Sequence, residues 1–180
     1  MKKLAVFGVF ALGLSLGTAY CQMDIETGTV SIGIAATGQL PLSTLSNHAG
    51  PGVGGLGDIE VGAVPGIALM AKSGYLYHFQ YRDETLTQVP VLGGLKICFP
   101  QSTAYVVGEL GADFVNTDRT SGSFYTFASN VNNTFFSWDA GLGSAVGPAD
   151  LRLTYNVLNA SDMLHSMTLA LSLGFSIWST

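Results

Sequence analysis

From Met167 to Ile177 the chain alternates without a break. Met167, Leu169, Leu171, Leu173, Phe175 and Ile177 are interleaved with Thr168, Ala170, Ser172, Gly174 and Ser176. Successive side chains of a β-strand point to opposite faces. This segment therefore has one wholly apolar face and one face of small, weakly polar groups. An uncharged apolar face of that length has to be covered, by a second sheet as in a soluble sandwich or by lipid. The segment alone does not choose between the two.

The same alternation recurs along the chain. Strands are expected over 28–38, 57–71, 75–82, 87–99, 103–115, 134–146, 151–158 and 167–177. Lys72-Ser73-Gly74, Pro100-Gln101-Ser102 and Gly147-Pro148-Ala149 read as short turns. They alternate with more variable connections at Pro41 to Leu56, Asp83 to Thr85, Asn116 to Asn133 and Asn159 to Leu164. Short turns at one end and longer loops at the other are the asymmetry of a transmembrane barrel. Pro65 and Pro90 fall inside expected strands, where a closed barrel has no edge to excuse a missing N–H, and both are read as marking bulges.

The position of the charges decides which way the faces look. Charged residues are 11% of the chain, against a usual quarter, and Gly is high at 23 residues. Glu60, Arg82, Lys96, Glu109, Asp113, Asp139 and Arg152 all lie on the face opposite the apolar stripe. A soluble sandwich would carry far more charge on its polar face. Here those faces are mostly Gly, Ala, Ser and Thr, which suits the crowded inside of a narrow barrel. The seven charged residues are expected to form a salt-bridged interior network, because buried charges need partners. Arg152 is expected to neutralise Glu109 or Asp139, and the interior to be filled. Tyr75, Tyr77, Phe79, Tyr81, Phe114, Phe136, Trp138, Tyr155 and Phe175 fall on the apolar faces and are expected to face lipid. Tyr75, Phe99 and Trp178 would mark one rim, and Tyr81, Phe114, Phe136 and Trp138 the other. The expected fold is therefore all-β, an eight-stranded antiparallel up-and-down transmembrane barrel.

Met1-Lys2-Lys3 followed by the apolar run Leu4 to Leu16 reads as a secretory signal, with small residues near 19–21 for cleavage. The chain thus divides into a signal peptide at 1–21 and a barrel at 22–180. Removing Lys2 and Lys3 from the seven basic residues leaves five against twelve acidic ones, a net charge of −7. That disfavours nucleic acid and anionic lipid surfaces as partners. Cys21 and Cys98 could pair only if cleavage leaves Cys21 in place, and their spacing is uninformative.

With strands and turns placed, the chain resembles the small outer-membrane β-barrel proteins of Gram-negative bacteria, the OmpA/OmpX-type and opacity-porin-like group. Gln88 to Lys96, Ala104 to Gly111 and Leu171 to Phe175 carry the resemblance, as that group's fourth, fifth and eighth strands. It implies a location in the outer membrane, contact with its lipid and insertion by the barrel assembly machinery. The group usually ends on an aromatic residue that this machinery reads. Here the end is Ile177-Trp178-Ser179-Thr180, so the implied insertion signal is displaced.

The resemblance leaves three function classes: a structural or surface-interaction barrel acting through its loops, a narrow conduit for small or hydrophobic solutes (OmpW-like), and a lipid-modifying enzyme. The polar lumen argues against an apolar conduit. Asp162, His165 and Ser166 invite comparison with outer-membrane deacylases, but adjacent His and Ser point to opposite faces of a strand and form no catalytic pair. His78 reads as an interior hydrogen-bonding residue, and three scattered His make no metal motif. Gly52-Val53-Gly54-Gly55-Leu56-Gly57 matches a dinucleotide fingerprint literally but follows no strand-to-helix unit, so it reads as loop. No catalytic residue, cofactor or metal is expected, and no ligand of the loops is named by the sequence.

Overall fold

A computed structural model describes residues 25–47, 49–81, 84–119 and 133–180. Eight strands form one closed antiparallel barrel in sequence order: β1 (Val30–Pro41), β2 (Gly52–Val64), β3 (Ile67–Tyr81), β4 (Glu84–Cys98), β5 (Ala104–Arg119), β6 (Asn133–Val146), β7 (Ala149–Val157) and β8 (Met167–Ser179). β8, the strand of unbroken alternation, closes the barrel, with Gly174 opposite Ala35 and Leu169 opposite Leu40 on β1. Its apolar face points outward, where Leu171, Leu173, Phe175 and Ile177 are exposed, while Thr168, Ala170 and Ser172 are buried inside.

The number of strands agrees with the sequence reading, but one turn is elsewhere. β2 and β3 are joined at Pro65-Gly66, not at Lys72-Ser73-Gly74. Gly66 has φ of +80°, a conformation glycine adopts without steric cost, and Pro before it presets the other half of the turn. Pro65 is thereby outside any strand, and its missing N–H needs no bulge. Lys72 and Gly74 lie within β3, opposite Asp58 and Leu56 of β2. Tyr75 consequently sits in the middle of β3 opposite Gly55, not at the rim with Phe99 and Trp178.

Two further corrections concern glycine and proline. Residues 52–56 are strand, so the Gly-rich stretch read as loop is the first half of β2. Its glycines make room rather than flexibility: a Cβ on Gly52 would meet the His78 ring, and one on Gly54 would meet Leu76. Pro90 lies mid-strand in β4, with no register shift beside it. It faces inward and is buried at a gap in the β3–β4 ladder, between the pairs Ser73–Val91 and Leu76–Gln88.

The two ends differ. Both described termini and the turns at 65–66, 99–103 and 147–148 lie at one end. There Ile25 folds back against Ala68, Met70, Cys98, Tyr105 and Val107, and its carbonyl accepts the Gly66 N–H at 3.2 Å. At the other end two 3₁₀ turns, Ser43–Asn47 and Ala160–His165, pack against each other. Cys98 is buried and is not a free thiol; Cys21 and the expected signal segment lie outside the described residues.

Candidate functional site: the barrel interior

The even positions of β2, β3, β4 and β7 and the odd positions of β5 and β6 point inward, and the charges fall there. At mid-height Glu109 of β5 stands directly opposite Asp139 of β6. Two carboxylates at that spacing repel unless a cation lies between them. Lys72 supplies it, donating from Nζ to Glu109 Oε2 and to Asp139 Oδ2. Arg152, expected in that role, is engaged one layer nearer the short-turn end. The correction follows from the turn: with β2 and β3 joined at 65–66, Lys72 becomes an inward position in the centre of the barrel.

Lys96 Nζ donates to both Glu60 oxygens at 3.0 Å and lies 3.6 Å from Asp150 Oδ2. Arg152 Nη2 lies 3.7 Å from Glu60, and Arg152 Nε donates to the Tyr105 hydroxyl at 3.0 Å. That hydroxyl donates in turn to Asp150 Oδ1 at 2.6 Å. The Tyr105 ring is fully buried, with the Lys96 ammonium 4.5 Å and the Arg152 guanidinium 5.6 Å from its centroid. Such placement favours the cations further through the ring quadrupole. Gly143 on β6 admits this ring, since a Cβ there would overlap Tyr105 Cζ and its hydroxyl.

Nearer the long-loop end the interior is held by hydrogen bonds rather than ion pairs among the described residues. Gln88 Nε2 donates to Asp113 Oδ1 at 2.7 Å, His78 Nδ1 donates to the Gly50 carbonyl at 3.1 Å, and Thr37 pairs with Ser172 at 2.9 Å. Ser166 Oγ bonds the carbonyls of Asn159 and Asp162, which ties down the last loop. The side chain of His165 lies outside the described residues.

Of the interior residues expected from sequence, Glu60, Lys96, Glu109, Asp113, Asp139 and Arg152 line the inside. Arg82 lies outside the described residues. Sequence reasoning missed Lys72, Asp150, Tyr105 and Gln88 as members of the network. Correct parity counted from Pro65-Gly66 identifies Lys72, and parity from Gly147-Pro148 identifies Asp150. On the outer face Tyr75, Tyr77, Phe79, Phe114, Phe136 and Phe175 are exposed. Trp138 and Tyr155 also point outward, with ring centroids 6.1 Å apart. The Tyr155 hydroxyl meets the sulfur of Met167. The side chain of Tyr81 is outside the described residues.

The interior is not filled evenly. The long charged side chains come from β2 to β7, whereas β8 and β1 contribute Ala170, Ser172, Gly174, Ser31, Gly33 and Ala35. Against these small residues lies a cavity of about 470 Å³. Among the described residues no group of three or more His, Cys, Asp or Glu is placed to hold a metal ion.

The crystal structure of Ail, the attachment invasion locus protein of Yersinia pestis, superposes with a TM-score of 0.61 at 14% identity, covering 86% of this chain and 99% of that one. The fold is that of the small outer-membrane β-barrels. Ail in a phospholipid bilayer nanodisc gives a TM-score of 0.53 at 16% identity over 83% of this chain and 99% of that one. Neisserial surface protein A gives 0.50 at 14% identity over 81% of this chain and 93% of that one. No protein-family model matches the sequence, and no curated protein matches it either.

Proposed function

We propose that this chain is an integral protein of the bacterial outer membrane, with a structural or surface-interaction role exerted through its long-loop end. One observation carries the reading. Every charged side chain described within a strand points into the barrel, while large apolar residues such as Leu69, Leu110, Phe136 and Ile177 are half or more exposed on its outside. Water would penalise that surface, and the hydrocarbon of a bilayer would not. The short-turn end faces the periplasm and the opposite end, where β1 finishes at Pro41 and β5 at Arg119, faces the exterior. On this reading the N-terminal signal directs export and is removed by cleavage near 19–21, and the barrel assembly machinery reads the end of β8.

Heat-modifiable migration on a gel after detergent extraction of the outer membrane is the test. A folded barrel that runs faster unheated than boiled supports the proposal, and recovery in the soluble periplasm overturns it. A conduit is the second reading, favoured by the cavity along β8 and β1. Planar-bilayer recording separates the two: stepwise currents support a conduit, and silence supports the structural role. Mass measurement of the mature chain tests cleavage near 19–21.

A further inference from the structure

We propose that the barrel interior binds a linear organic polycation of the alkyl-polyamine class, entering from the short-turn end. The first observation is charge. Among the described residues six carboxylates face the interior, Asp58, Glu60, Glu109, Asp113, Asp139 and Asp150, against three cations, Lys72, Lys96 and Arg152. Each cation is already shared: Lys72 by Glu109 and Asp139, Lys96 and Arg152 by Glu60 and Asp150. Asp58 makes no ion pair or hydrogen bond with any described residue. It stands where β2 faces Gly33, on the small-residue side of the cavity.

The second observation is independent of charge. Gln39 is more than nine-tenths buried and lines the cavity, and its Oε1 has no hydrogen-bond partner among the described residues. A buried acceptor left unpaired is costly. A guest that satisfies Asp58 and Gln39 together must bring N–H donors and positive charge.

The spacing selects the shape of that guest. Gly33 marks the level of Asp58 on β1, and Gln39 lies six residues farther along the same strand. At about 3.3 Å per residue that is roughly 20 Å along the strand, or about 15 Å along a barrel axis tilted by about 40°. Acceptors strung over that length do not make a shell for one metal ion, in keeping with the missing metal-holding group among the described residues. They match ammonium groups separated by methylene spacers. The cavity volume of about 470 Å³ lies within the range of small-molecule sites. Its lining reaches Ala149, Asp150 and Ser176 at the short-turn rim, which gives a way in from the periplasm.

The test is calorimetric titration of the folded full-length barrel in detergent micelles with spermidine, against magnesium chloride at matched ionic strength. Saturable binding of spermidine alone is expected, weakened at least tenfold in Asp58→Asn and in Gln39→Leu. Heat-modifiable migration of each variant verifies folding, and if one fails to fold the other decides. Equal heats with spermidine and magnesium, or folded variants that bind as tightly as the parent, overturn the proposal. Neither result depends on whether the loops engage a surface partner, because heat-modifiable migration reports the barrel separately.

Discussion

Lys72 lets two carboxylates stand opposite each other in the middle of the closed barrel. Its side chain is 7% exposed and those of Glu109 and Asp139 are fully buried. Removing one partner of such a cluster leaves buried charge uncompensated, which costs about 3–5 kcal/mol. Lys72→Met is therefore expected to lower stability by that order in urea titrations of the refolded barrel. Adding Glu109→Gln and Asp139→Asn to it should recover most of the loss. If the single variant unfolds at the parental midpoint, Lys72 is not the keystone of this layer. Tyr105 is the corresponding residue one layer down. Tyr105→Phe keeps the ring between Lys96 and Arg152 but removes the hydroxyl that bridges Asp150 Oδ1 and Arg152 Nε. A loss of about 1–3 kcal/mol is expected, read by the same titration, and it should be smaller than that of Lys72→Met.

At the level of elements, what could be read in advance was parity, and what could not was the place of one turn. Alternation is legible within each strand by itself, so Glu60, Lys96, Glu109 and Arg152 fall on the inside whether the β2–β3 turn is placed at 72–74 or at 65–66. Lys72-Ser73-Gly74 has the composition of a turn, and nothing local distinguishes it from one. Only the closed sheet does, by pairing Lys72 with Asp58 and Ser73 with Gly57. The glycines of β2 were opaque for a related reason. Their strand character comes from His78 and Leu76 filling the space across the sheet, a contact no short window of sequence contains. The turn can be tested directly. Gly66→Ala places a Cβ at φ of +80° and is expected to cost roughly 1–2 kcal/mol. A two-residue insertion between Pro65 and Gly66 should leave heat-modifiable migration intact, whereas the same insertion after Ser73 should abolish it. The reverse pattern would restore the turn at 72–74.

For the whole molecule, the inside-out arrangement makes an expectation that a soluble protein of the same outline would not share. Leu110 is 60% exposed near the middle of β5, flanked by Gly93 on β4 and Trp138 on β6. On a water-facing surface, exchanging so exposed a residue for arginine changes stability by no more than about 0.5 kcal/mol. At the midplane of a bilayer the same change costs about 2–4 kcal/mol, because the guanidinium must be taken out of water or thin the membrane around it. Ile177 is equally exposed, at 61%, but lies near the short-turn rim, where the penalty falls to about 0–1 kcal/mol. Leu110→Arg and Ile177→Arg therefore form a matched pair, alike in exposure and different in depth. Urea titrations of the barrel folded into phosphatidylcholine vesicles should show a loss for Leu110→Arg at least 1 kcal/mol larger than for Ile177→Arg, roughly the gap between those two ranges. Equal, small effects at both positions would mean that water, not lipid, covers the outer face.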